Sequence, residues 1–274
     1  MVKYKSYQKP YRIKRKKSIF SNRFFWLVIL VLMISGGIFY LLFLSSPFQI
    51  QEIKISGNEK VLIEDVKSLI EKAVEKKILV FQTKSIFLTT TNQIQEIVFR
   101  NFPQIAKVEF KKQLPKTLVI KIEERKPIAI FSQNENYFFI DKEGIIFEKK
   151  PETVDLKPQQ LLIKNLLLRA ELKLGDRAVE KELLSQILEV KSQIENELEI
   201  PINEVLIVSE DRLNFKTFEG WEFYFNPQKD SNWQLRKLKA VLETEIPLGK
   251  RKDLEYIELR FGDLAPFKYR AGAR

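Results

Sequence analysis

Histidine and cysteine are both absent from the 274 residues, and that absence removes most of the chemistry open to a protein. It excludes Cys/His zinc sites, Ser–His and Cys–His nucleophile pairs and imidazole general bases. Carboxylates, hydroxyls and amines remain. Glu123-Glu124 is the most obvious acid/base pair. Adjacent strand residues point to opposite faces, so the two carboxylates cannot converge on one substrate atom, and the pair reads as a solvated strand end. Ser6-Tyr7-Gln8-Lys9 has the Ser-x-x-Lys spacing of penicillin-binding enzymes. It lies in a basic tail, separated by an apolar span from everything that folds, and reads as coincidence. Asp141 and Asp211 occupy turn-like contexts and read as turn formers rather than metal ligands. There is no Gly-rich phosphate loop. Trp221 and Trp233 lie among apolar residues and read as core. The residues therefore predict no catalytic site, no cofactor and no metal.

The chain is organised around Phe24 to Leu44, 21 residues without a charge. A helix of that length extends about 30 Å, the hydrocarbon thickness of a bilayer. Trp26 and Tyr40 suit the two interfaces, and Gly36-Gly37 suits a close helix contact in lipid. Residues 1–23 carry nine Lys and Arg and no acid. The positive-inside rule then puts the N-terminus in the cytoplasm and residues 45–274 outside, with 24–44 as an uncleaved anchor. The exit, Ser45-Ser46-Pro47, lacks the small-x-small pattern of a cleaved signal peptide.

The net charge of +11 suggests nucleic acid at first sight, but nine of those charges sit in the tail, leaving +2 for all the rest. The tail suits anionic lipid headgroups instead, and no nucleic-acid partner is expected. The residues beyond the span suffice for one large or two small domains. Lacking disulfides, those domains must rest on their hydrophobic cores.

Beyond the exit, Ile53 and Ile55 alternate with Glu52 and Lys54 as a half-buried strand, with Ile50 out of phase, and Ser56-Gly57-Asn58 ends it. Residues 61–75 put Leu62, Val66, Leu69, Ile70 and Ala73 on one helical face. The stretch 76–91, with its apolar cluster at 78–81, has no clear period. Asn92 and Gln95 have capping-box spacing and predict a short helix bearing Ile94, Ile97 and Val98, stopped before Pro103. Strands follow at 105–111 and 117–124, the second burying Leu118, Ile120 and Ile122, with Gln113-Leu114-Pro115-Lys116 as the turn. The order is β-α-α-β-β.

These residues carry a resemblance. Ile53-Lys54-Ile55-Ser56-Gly57-Asn58, then a helix, then Val108-Glu109-Phe110-Lys111-Lys112-Gln113-Leu114-Pro115-Lys116-Thr117-Leu118-Val119-Ile120 and Glu124-Arg125-Lys126-Pro127-Ile128-Ala129 resemble a POTRA domain of the FtsQ/DivIB kind. Further on, Tyr137 to Phe147, turning at Asp141-Lys142-Glu143-Gly144, is similar to the family's Y-x-x-D-x-x-G-x-x-F. Leu254-Glu255-Tyr256-Ile257-Glu258-Leu259-Arg260-Phe261 resembles its closing strand, with Glu258 in place of Asp. Between these motifs the pattern predicts a helix over 177–198 bearing Val179, Leu183, Ile187, Ile194 and Leu198, and strands at 204–208, 212–218 and 221–225. A second helix follows, capped by Ser231 and carrying Trp233, Leu238, Val241 and Leu242. The region 150–175 resists alignment.

The fold class expected is α+β: a single transmembrane helix, a small β-α-α-β-β POTRA domain, then a mixed β-sheet domain with flanking helices. The boundaries expected are 1–23 for the tail, 24–44 for the membrane helix, 48–125 for POTRA and 126–270 for the β domain. The resemblance implies a non-catalytic, plasma-membrane division scaffold, enriched at the septum, that recruits septal cell-wall machinery through the small coiled-coil proteins FtsB and FtsL. A membrane-anchored cell-wall enzyme or exported ligand-binding domain is the alternative. Gly262-Asp263 signals a turn, and Pro266 is tolerated only on an edge strand. An edge can be extended by a partner's strand, and the resemblance points to this same strand region as the place where FtsB docks. The partner-binding residues expected are Arg260, Phe261, Pro266, Phe267, Lys268 and Tyr269, with Phe267 and Tyr269 as aromatic anchors and Arg260 and Lys268 pairing with acidic partner residues. The competing reading has Phe267 and Tyr269 cap the domain's own core.

Overall fold

The computed structural model describes residues 22–78, 80–150, 160–167 and 170–272. Residues 1–21, with most of the basic tail and the Ser6-to-Lys9 spacing, lie outside the described residues. Helix α1 (Arg23–Phe43) begins where Asn22 accepts a hydrogen bond from the Phe24 N–H at 3.0 Å. It is long and apolar enough to cross a membrane, and none of it is buried within the protein. A short 3₁₀ turn (Ser46–Phe48) follows, with Pro47 inside it.

The next elements are β1 (Glu52–Ser56), α2 (Ile63–Val74), β2 (Lys76–Ile78), β3 (Phe81–Thr83), α3 (Thr91–Asn101), β4 (Ile105–Gln113) and β5 (Thr117–Glu124). A three-stranded sheet has the order β1-β5-β4. The stretch without a clear period is a two-stranded hairpin, β2–β3, inserted between the two helices. Leu118 and Ile120 are fully buried and Ile122 nearly so, as the alternation on β5 requires. Three details of the sequence reading need correction. Leu62 precedes α2 and is 64% exposed; the helical stripe starts at Val66 and runs through Ile70 to Val74. Asn92 falls inside α3, which opens one residue earlier, so no capping box starts there. Glu124 is more than a solvated strand end: its half-buried carboxylate accepts three successive backbone N–H groups, from Glu59 at 2.7 Å, Lys60 at 3.0 Å and Val61 at 2.9 Å.

That contact has a pH consequence. Burial alone would raise the Glu124 pKa, but the three backbone donors outweigh it and hold the carboxyl below its ordinary 4.5. Its stabilising contribution is complete above the unfolded value and is lost as pH falls through the depressed folded value. Glu124→Gln is expected to lower stability by about 1–3 kcal/mol at neutral pH and to flatten the acid limb. Melting curves of the detergent-solubilised chain from about pH 3 to pH 7 measure both; an unchanged acid limb would refute the assignment.

Among the described residues the remaining strands form one nine-stranded sheet, in the order β14-β13-β12-β11-β10-β9-β6-β7-β8. They are β6 (Ala129–Gln133), β7 (Asn136–Ile140), β8 (Ile146–Lys149), β9 (Leu162–Asn165), β10 (Ile202–Ser209), β11 (Arg212–Thr217), β12 (Glu222–Phe225), β13 (Leu254–Glu258) and β14 (Phe267–Tyr269), with helices α4 (Lys181–Leu198) and α5 (Ser231–Thr244). Strand β9 pairs in parallel with β6 on one side and β10 on the other. Phe131, Ile163, Val205, Phe215, Phe223 and Trp221 are fully buried in one core shared with Ile187 of α4 and Leu238 of α5. Helix α4 starts at Lys181 rather than 177; Val179 is buried ahead of it, and Leu184 and Val190 join the predicted seam. Asp230, not Ser231, caps α5, accepting from the Trp233 N–H at 3.2 Å. Strand β13 stops at Glu258, short of the predicted Phe261.

The chain divides into two compact units. One runs from α1 to Lys54 and includes residues 74–90 and 112–119; the other takes in residues 55–73, 91–111 and everything from Ile120 onward. In the second, Asp141 closes the β7–β8 turn by accepting from the Glu143 and Ile145 N–H groups, both at 3.0 Å. It also pairs with Arg125, whose Nε donates to the Pro103 carbonyl at 2.9 Å. Gly144 has φ +74°, and a Cβ there would lie 1.9 Å from the Val179 carbonyl oxygen, so only glycine fits.

Candidate functional site

The predicted partner-binding residues lie on the loop and strand that end the large sheet. Among the described residues strand β14 is its edge, paired on one side only, antiparallel to β13. Its inward hydrogen bonds are fixed at both ends: the Glu258 N–H donates to the Pro266 carbonyl at 2.8 Å, and the Arg270 N–H donates to the Asp253 carbonyl at 2.9 Å. Backbone groups alternate along an antiparallel strand, so the N–H and C=O of Phe267 and Tyr269 face the open side.

The side chains divide differently. Phe267 and Tyr269 are half-buried, packed against the core and edge-to-face with each other at 5.6 Å. Lys268, on the other face, pairs with Glu255 at 2.7 Å, and that contact raises its pKa. Both members are well exposed, so the pair is worth little and is open to exchange. Arg260 grips Glu258 with two guanidinium nitrogens, at 2.9 and 2.7 Å, and sits 4.7 Å from the Phe261 ring centroid. Its pKa rises through that hydrogen bonding. Both cations expected to meet a partner's acids are thus engaged inside the chain. Phe261 is exposed and Pro266 lies at the surface.

Sequence reasoning missed three residues that shape this place. Lys237 of α5 is only 7% exposed. Its ammonium donates to the carbonyls of Leu259 at 2.6 Å and Gly262 at 3.0 Å, pinning the loop that leads into β14. Burial pushes its pKa down. The signal was a lysine one step from Leu238 on a helix whose inner face also holds Gln234 and Val241. Trp233, expected in the core, is 42% exposed, and Leu264 is 79% exposed. Positions 233, 237, 240 and 244 recur at helical spacing and form a stripe of α5 beside the core stripe. With Asp263 to Phe267 that stripe lines an open groove of about 720 Å³ alongside the edge strand. Among the described residues no group of three or more acidic, His or Cys side chains is placed to hold a metal ion.

An edge strand beside an apolar groove suits a protein partner, and the comparisons with known proteins say which kind of protein carries it. Residues 48–125 match the model of the FtsQ-type POTRA domain, and residues 129–260 match that of the C-terminal region of the cell division protein FtsQ/DivIB. The chain belongs to the FtsQ/DivIB family of cell division proteins. Among its relatives, cell division protein DivIB of Clostridium acetobutylicum is 28% identical over 152 residues, covering 54% of this chain and 57% of that protein. DivIB of Clostridium tetani is 22% identical over 210 residues, covering 74% and 76%. FtsQ of Rickettsia bellii is 34% identical over 94 residues, about a third of each chain. The match thus spans little more than half the length of the first of these relatives. The α+β architecture, with one apolar N-terminal helix, a POTRA domain and a mixed sheet, is that of FtsQ.

Proposed function

We propose that this FtsQ/DivIB-family chain is a non-catalytic division scaffold, anchored by α1 with its N-terminus in the cytoplasm and its folded units outside, that collects septal cell-wall proteins through FtsB- and FtsL-like partners. The absence of His and Cys and the nine cations before the span support the class and the orientation. The proposed basic-tail contact with lipid rests on the same charges. The observation that carries the docking reading is the open side of β14. A partner strand laid there pairs with the backbone of Phe267 and Tyr269 and continues the sheet, while an apolar side chain just beyond it enters the groove between Trp233 and Leu264. Arg260 holds Phe261 outward, Pro266 starts the edge, and Lys268 exchanges Glu255 for a partner carboxylate. Phe267 and Tyr269 serve as backbone donors and acceptors whose rings keep the edge fixed on the core.

Trp233→Ala combined with Leu264→Ala tests this when affinity and melting point are read together: Leu264 is 79% exposed and its loss stays within about 0.5 kcal/mol, while Trp233, 42% exposed, also gives up the packing of its covered half. Affinity for an FtsB-like peptide, measured calorimetrically with the full chain in detergent, is expected to fall at least about tenfold, equivalent to 1.4 kcal/mol. Undiminished affinity with an unchanged melting point would place the partner elsewhere.

A further inference from the structure

Helix α1 does not run out into a free linker. The last carbonyls of a helix have no partner within it, and here the folded unit beyond supplies them. The Thr83 hydroxyl donates to the Phe43 carbonyl at 2.5 Å, and the Gln49 side-chain amide donates to the same oxygen at 3.1 Å. The Ser85 hydroxyl donates to the Leu42 carbonyl at 2.9 Å, and the Ser45 hydroxyl to that of Leu41. Two backbone bonds, Ile50 N–H to Lys84 at 2.9 Å and Ile86 N–H to Phe48 at 3.0 Å, complete the join. The end of α1 and residues 83–86 therefore form one hydrogen-bonded structure.

If α1 spans the bilayer, its length of about 30 Å brings Phe43 to the boundary between hydrocarbon and headgroups. Thr83, bonded to Phe43, lies at that boundary too, and Thr83 is the last residue of the β2–β3 hairpin. At about 3.3 Å per residue the hairpin tip lies within roughly 10 Å of it, comparable with the depth of a headgroup layer. The tip is apolar and bare: Val80 is 79% exposed and Phe81 55%. Phe87, 42% exposed, packs against Phe48 just past the helix, the rings tilted with centroids 5.3 Å apart. Lysines lie at the base of the hairpin: Lys76, which reaches Thr90 Oγ1 at 3.2 Å, and exposed Lys77 on β2, and Lys84 just past β3, paired with Glu75 at 3.1 Å. Apolar and aromatic residues in the same hairpin as amines have the composition of a membrane interface, where long Lys side chains reach toward phosphates.

We propose that the β2–β3 hairpin is a second membrane contact, seating Val80 and Phe81 in the headgroup layer of the leaflet into which α1 emerges, with Lys76 and Lys77 at lipid phosphates. The proposal rests on α1 being a membrane span and holds for either orientation. Its consequence is that the first folded unit is fastened to the bilayer at two points.

The chain has no cysteine of its own, so a single spin label can be placed at will. Phe81→Cys, Met33→Cys and Glu210→Cys, labelled in the full chain in phosphatidylcholine–phosphatidylglycerol vesicles, report the hairpin, the span and a site in the large sheet's surroundings. Collision with oxygen marks lipid and collision with a water-soluble nickel chelate marks water. The expected result is oxygen-dominated collision at 33, nickel-dominated collision at 210, and nickel accessibility at 81 several-fold below that at 210. Val80→Cys, at a position with almost no packing to lose, must give the same reading as 81. Nickel accessibility at 80 and 81 equal to that at 210, with 33 in lipid, overturns the hairpin contact and leaves the span intact. Nickel-dominated collision at 33 overturns the span and the hairpin contact with it.

Discussion

Arg125→Met is expected to cost about 3–5 kcal/mol, because it strands the Asp141 carboxylate in a place that water does not reach. The Arg125 side chain is 12% exposed and that of Asp141 5%. The guanidinium also donates to the Pro103 carbonyl, and the Arg125 N–H donates to the Gln104 carbonyl at 2.7 Å. One residue thus ties the turn after α3 to the β7–β8 turn. Methionine keeps most of the volume and removes the charge, so the loss measures the unpaired acid rather than a cavity. The double change Arg125→Met with Asp141→Asn removes both charges and should recover a large part of the loss, although the Asp141 oxygen that accepts from Glu143 and Ile145 is then weaker. Urea unfolding of the detergent-solubilised variants supplies both numbers. A single variant within about 0.5 kcal/mol of the parent would mean that the pair is solvated after all.

Trp221→Ala is expected to be of similar size, about 3–5 kcal/mol. The indole is fully buried, donates from Nε1 to Glu219 at 2.8 Å and packs near Phe223. Its carbonyl accepts from both the N–H and the hydroxyl of Thr217, at 2.9 and 3.0 Å, closing the β11–β12 turn. Alanine keeps those backbone bonds and leaves a hole that the stacked Phe215–Phe223 pair, 4.9 Å apart, is too rigid to fill. Chemical denaturation is again the measurement. A second expectation discriminates: because β12 pairs directly with β13, the strand that carries β14, partner affinity should weaken under conditions where the variant is still folded. Full affinity in a fully folded variant would show that the edge does not depend on this turn.

Where apolar residues recur with one clean period, the sequence was legible. Strand β5 and helix α1 were placed to within a residue or so because Leu118, Ile120 and Ile122 alternate and because no charge interrupts 24–44. The β2–β3 hairpin was not legible, because three-residue strands are too short to show a period and half of their residues face outward. Trp233 was misplaced because a large apolar residue on a helix reads as core, while here it lies on the stripe beside the core stripe, with Lys237, Ala240 and Thr244. Lys237 was invisible for the opposite reason: lysine is counted as surface, while here its ammonium is consumed by loop carbonyls. At the site, the short edge strand was foreseen from Gly262, Pro266 and the resemblance. The internal pairing of Arg260 and Lys268 was not: Glu255 comes within reach of Lys268 only once β13 and β14 are aligned, and the i,i+2 pair of Glu258 and Arg260 depends on the backbone bending where β13 ends.

Strand β9 has a kinetic meaning beyond its place in the sheet. Each of its neighbours belongs to a run of local hairpins, β6 to β8 on one side and β10 to β12 on the other, which can zip from adjacent turns. The strand between them has no such help: Ile163 must find Phe131 far upstream and Val205 far downstream, both in parallel register. Pairing of that kind is slow because a long loop must close before any contact rewards it. A chain made from its N-terminus completes β6–β8 before β9 exists, and β6 then waits with a bare apolar edge. Four residues, Leu162 to Asn165, end that exposure, and substitutions there should act first on folding yield and aggregation rather than on the affinity of the finished protein.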